Sequence, residues 1–146
     1  MFLKYLSDTP VRRQRVRRST SCRAKPCPLF WLAALGNVLI LAREEIVAAL
    51  LGLMVELRGL QPRFLAAEES VNEALTRLAL DAVVIDCDHP DCTRELLDTI
   101  RKAGAVPILF SPSRMQTEVG EVAVRHGIRS FTLPTDPDTF GRMLEA

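Results

Sequence analysis

Apolar residues recur along the body of the chain in short unbroken runs, separated by longer segments with helical spacing. "NVLILA" (37–42), "DAVVID" (81–86) and "VPILFS" (106–111) have the continuous apolar character of strands covered on both faces. "RFLAA" (63–67) and "RSFTL" (129–133) read as two further strands. "REEIVAALLGLMVELRG" (43–59) opens with acids and stops at Gly59, the signals of helix ends. Ile46, Leu50, Leu53 and Leu57 share one face of it, widened by Val47, Leu51 and Met54. So broad a stripe predicts a helix laid on a sheet, with the stripe in the core rather than at a dimer face.

Three more helices follow the same logic, besides the last. "EESVNEALTRLAL" (68–80) places Val71, Leu75 and Leu78 on one side. "CTRELLDTIRKAG" (92–104) ends in Arg101, Lys102 and Gly104, and "MQTEVGEVAVRHG" (115–127) is weakened by Gly120. "DPDTFGRMLE" (136–145) starts with an Asp cap and a proline at the first helical position. Five strand–helix units predict an α/β fold, a five-stranded parallel sheet wound on both faces by helices. Ligands in such folds sit at the carboxyl ends of the strands, where Asp86 and Ser111 fall. A carboxylate closing a buried apolar run is costly unless it has a partner or a task, so Asp86 needs a role. Nucleophile, metal ligand, helix cap and remnant of a lost site are the candidates.

The chain has 146 residues, 48% of them apolar, which suits one domain with a real core. Its net charge of +1 hides an asymmetry. Residues 1–27 carry eight Lys or Arg against one acid, Asp8, a balance of +7, whereas residues 28–146 balance at −6. The basic stretch lacks an apolar period, so residues 1–36 are expected to be a disordered tail and 37–146 the domain. Three other readings of the tail compete: a patch for nucleic acid or anionic lipid, a signal peptide with "PLFWLAAL" as its apolar region, or a misplaced translation start. The apolar stretch 28–42 is interrupted by Gly36 and Asn37 and is short for a spanning helix, so no membrane partner is expected, and nucleic acid only through the tail.

Cys22, Cys27, Cys87 and Cys92 do not form a disulfide framework at this length and read as reduced thiols of a cytoplasmic protein. Cys87, His89 and Cys92, with Asp88 or Asp91, lack the usual paired spacing of zinc ligands, so no metal centre is expected there. His126 near a helix C-terminus favours the local dipole and nothing more. The chain carries no glycine-rich phosphate loop, nucleophile elbow or HExxH pattern.

"DAVVIDCDHP", "PILFS" and "LPTDPDTF" fall in a register that resembles the receiver domain of bacterial response regulators, over roughly residues 37–146. The resemblance implies a flavodoxin-like (βα)5 fold. It places Asp86 at the phosphoacceptor position and Ser111 at the hydroxyl position that contacts the phosphoryl group. The departures are specific. The acidic pair that holds Mg²⁺ in that family is replaced by Ala42 and Arg43. The lysine position before the final proline is Leu133, and Lys102 is the one lysine after residue 27. Ser130 stands at the aromatic switch position, with Phe131 next to it.

Mg²⁺ takes oxygen ligands, so its binding is expected to be weak or lost and no cofactor is expected. A guanidinium at Arg43 is expected to replace part of the metal's charge and to pair with the Asp86 carboxylate. The expected function is a stand-alone signalling module of the two-component phosphorelay type, with phosphorylation at Asp86 in doubt. It would act by contact with a protein partner in trans, a sensor kinase or output protein, through about residues 115–145; a homodimer is left open. The alternatives are a non-switching scaffold or degenerate remnant and, less favoured, a small enzyme on the same fold, which the lack of a second catalytic group near Asp86 argues against. With the sequence closing at Ala146, no DNA-binding output domain is expected after it.

Overall fold

The computed structural model describes residues 36–145; the tail readings and Cys22 and Cys27 lie outside that range. Five strands alternate with five helices: β1 Asn37–Leu41, α1 Glu45–Leu57, β2 Gln61–Arg63, α2 Val71–Arg77, β3 Ala82–Asp86, α3 Arg94–Lys102, β4 Val106–Ser111, α4 Gln116–His126, β5 Arg129–Thr132 and α5 Pro137–Leu144. All strand pairs are parallel, in the order β2-β1-β3-β4-β5. This is the doubly wound α/β sheet that the alternation predicts.

Side chains alternate across each strand, so the sheet feeds two cores. Leu39, Leu41, Val83, Ile85 and Leu109 face α2, α3 and α4. Val38, Ile40, Val84, Ile108, Phe110 and Phe131 face α1 and α5. Phe131 stacks on Phe110 with ring centroids 5.6 Å apart and meets Phe140 edge-on at 5.3 Å. Because strand faces alternate residue by residue, Phe131 turns into the core while its neighbour Ser130 stays half-buried.

Local chemistry explains the helix starts. Ser70 and Glu73 form a reciprocal capping box on α2, Thr93 caps α3, and Asp136 accepts the Thr139 N–H ahead of Pro137 on α5. Arg58, at the end of α1, donates to the Pro137 carbonyl and the Asp138 carboxylate and ties α1 to α5.

Two expectations are corrected. β2 is Gln61–Arg63, not residues 63–67. Gly59 turns the chain at φ 71°, and the Gln61 N–H bonds at once to the Gly36 carbonyl, 2.9 Å. β2 is an edge strand, where Pro62 costs no ladder bond on its open side. The apolar stripe of α1 is also split. Val47, Leu51, Met54 and Val55 are buried, whereas Ile46, Leu50, Leu53 and Leu57 are 77%, 47%, 54% and 65% exposed. The Ile46–Leu50–Leu53–Leu57 half of the stripe faces outward and the Val47–Leu51–Met54 half lies in the core, because the side that meets β1 and α5 is the one rotated toward Val55.

Candidate functional site

β3 is buried at all five positions and ends in Asp86, whose register partner on β4 is Phe110. Ser111 follows Phe110 and pairs with Thr132 of β5. The two positions singled out in the sequence therefore close adjacent central strands at the carboxyl edge of the sheet. They are the buried polar residues of the described core, Asp86 2% exposed and Ser111 fully covered.

Each is satisfied by its own loop. Asp86 Oδ1 accepts the Asp88 N–H at 2.9 Å, and the Asp86 carbonyl accepts the His89 N–H at 2.9 Å. Ser111 Oγ accepts the N–H groups of Ser113 (3.3 Å) and Arg114 (3.0 Å). A hydroxyl two and three residues before its donors is the geometry of a serine turn. This turn carries the Arg114 side chain back over the β3 loop. Its guanidinium bonds to both oxygens of Asp88, Nε to Oδ2 at 3.3 Å.

Arg43 does not pair with Asp86. Its Nη1 donates to the Asp88 backbone carbonyl at 3.4 Å. In these strand-end loops the carboxylate paired with an arginine is Asp88, and the arginine is Arg114. Arg114 was missed in sequence because nothing in "SPSRM" shows that a serine turn folds it onto another loop. Ala42 lies just past β1, half-buried and without a donor, and Glu44 stands exposed at the α1 N-cap position without a side-chain cap bond. Leu133 packs on the core facing α1 and α5, donates its N–H to the Ser111 carbonyl at 3.2 Å and precedes a cis proline. Lys102 is exposed at the end of α3, whose direction takes it to the opposite edge of the sheet.

Cys87 and Cys92 are free thiols in the same loop, half-buried against the core of α2–α4. Burial, reinforced by the neighbouring Cys92, pushes the Cys87 thiol up to about 11. Burial also raises Cys92, with Asp86 and Asp88 adding to it. Both are thereby kept protonated and poor as nucleophiles or metal ligands. His89 Nδ1 accepts the Asp91 N–H at 3.2 Å. Among the described residues no group of three or more His, Cys, Asp or Glu is arranged to hold a metal ion. No helix among them is long and apolar enough to cross a membrane.

No protein-family model and no curated protein matches the sequence. Solved structures do. A response regulator from Thermotoga maritima superposes with TM-score 0.63 over 76% of this chain and 95% of its own, at 16% identity. The receiver domain of a Pseudomonas aeruginosa sensor histidine kinase, with magnesium coordinated in its active-site cleft, gives 0.60 over 77% and 96%, at 17% identity. A chain of the Saccharomyces cerevisiae complex between the phosphotransfer protein Ypd1 and the receiver domain of the response regulator Ssk1 gives 0.58 over 75% and 86%, at 15%. At such identities the likeness is one of fold. This chain has the response-regulator receiver fold.

Proposed function

We propose that the chain is a signalling module of the two-component phosphorelay kind, acting through protein contact, whose strand-end site is held in one state by arginines instead of a metal ion. One observation carries this reading. Arg114 occupies the Asp88 carboxylate, and Arg43 points its cation at the Asp88 carbonyl, on the loop that carries Asp86.

These residues do not fit Mg²⁺. The ion needs several oxygen ligands in near-octahedral array, generally including one or two carboxylates. Ala42 offers none, Arg43 repels a cation, and Asp88 is engaged. Phosphoryl transfer to Asp86 would need compensation for the charge gathered around the transferring group. Leu133 supplies no cation where the family has lysine, and Lys102 sits at the far edge. Phosphorylation at Asp86 is therefore not part of the proposed cycle. Nor is enzymatic turnover: Ser111 Oγ is committed to two loop N–H groups and the His89 Nδ1 to another.

The partner is a protein in trans, a sensor kinase or an output protein. The Ypd1–Ssk1 complex supports a protein partner in general, since there a receiver domain meets a phosphotransfer protein. About residues 115–145 are the proposed contact layer, where Met115 and Val124 stand exposed. A magnesium titration followed by the amide resonances of Asp86, Cys87 and Asp88 tests the site. No saturable shift at millimolar ion is expected; a saturable one, abolished by Asp86→Asn, would overturn the arginine-held reading.

A further inference from the structure

The exposed residues of α1 recur with spacings of four, three and four, from Ile46 through Leu50 and Leu53 to Leu57. That is the seam of a helix that packs against a further element, not the scatter of single apolar residues normal on a surface. Phe64, 47% exposed, lies on a different side of α1, its ring 3.0 Å from a Cβ placed on the buried Gly52. Elsewhere the helix is accounted for, by β1 and β2 on its buried side and by Arg58 toward α5.

The sequence ahead of the described residues carries a further apolar run. "PLFWLAAL" (28–35) joins the domain directly at Gly36. The Gly36 carbonyl accepts the Gln61 N–H, and a Cβ there would lie 3.1 Å from Leu60 Cδ2. Gly36, where the segment joins the domain, therefore lies beside the Leu57 end of the seam. The seam runs about 16 Å from Leu57 to Ile46 at 1.5 Å per helical residue. Eight residues reach about 12 Å as helix and about 26 Å extended, so the segment has the length to lie along it.

We propose that segment 28–35 seats on the exposed Ile46–Leu50–Leu53–Leu57 face of α1 within the same molecule. Charge favours the same direction of travel. Running from Leu57 toward Ile46, the segment delivers Lys25 and Arg23 to the helix start, where Glu44 and Glu45 are exposed. A short tether keeps the local concentration of the segment in the millimolar range, far above that of a second copy in dilute solution. This inference is independent of the Asp86 site.

Trp31 is the one tryptophan of the chain and lies in the segment, so its emission reports the seat directly. In the full chain, a blue-shifted emission shielded from acrylamide and unchanged on dilution is expected, in a species that sediments as a monomer. Leu53→Glu, and separately Leu50→Gln, should red-shift the emission and raise quenching with the far-ultraviolet dichroism unchanged. Asn72→Glu, on α2 across the sheet, should change neither. Solvent-exposed emission in the unaltered chain would overturn the proposal. So would buried emission that survives both α1 substitutions, or that disappears on dilution as a dimer dissociates.

Discussion

Arg114, three residues past the end of β4, holds the carboxylate of Asp88, two residues past the end of β3. The contact joins two strand-end loops and places a guanidinium on the loop that follows the buried Asp86. Ser111 makes it possible, because its Oγ fixes the Arg114 backbone. The pair is partly open to solvent, so its contribution to stability is small. Its consequence is electrostatic and local: the carboxylate next along from Asp86 already has its counter-ion.

Removing the Arg43 and Arg114 cations and adding acids should create an oxygen ligand set for Mg²⁺ beside Asp86. The combined variant Ala42→Asp, Arg43→Asp, Arg114→Ala is expected to bind Mg²⁺ saturably by isothermal titration calorimetry. Arg114→Ala alone should not, and its thermal midpoint should stay close to that of the unaltered chain.

Ser111→Ala removes the acceptor for two loop N–H groups. It should cost about 1 kcal/mol, the typical net worth of a lost hydrogen bond, measured by urea unfolding. Ser111→Thr keeps the oxygen and should recover most of it. Loss of the Arg114 contact would appear as a faster-exchanging Arg114 amide.

Phe131 shows how much of the candidate site was legible in sequence, and where legibility ended. Its run, like those of Asp86 and Ser111, reads as a strand from pattern alone, and the strand ends follow. The five-unit alternation likewise predicts a parallel sheet because few other arrangements bury it. β2 escaped because three residues with a proline carry no usable period. The α1 faces were mis-assigned because that helix is apolar almost all round, so spacing cannot say which stripe meets the sheet. Arg114 escaped because its partner is brought to it by a turn, 26 residues away in sequence.

As the ring between Phe110 and Phe140, Phe131 should be costly to truncate. Phe131→Ala is expected to lower unfolding free energy by about 3–5 kcal/mol, as for buried aromatic deletions generally. A far smaller loss would mean that the ring leaves the core readily and is free to switch.

Cys87 should alkylate slowly near neutral pH. A thiol held near 11 by burial and Cys92 carries roughly 10²-fold less thiolate at pH 7–8 than an unperturbed cysteine. The sign follows from the raised value: reactivity should climb throughout the range up to about pH 11 instead of levelling off near 9. Peptide-resolved iodoacetamide rates, folded against denatured, give the comparison.

In the proposed function Asp86 keeps its place at the strand end without accepting a phosphoryl group. Incubation of the full chain with a small-molecule phosphodonor and Mg²⁺, read by intact mass, tests this most directly. The expected spectrum is that of the unmodified chain. A gain of one phosphoryl group that vanishes in Asp86→Asn would contradict the account.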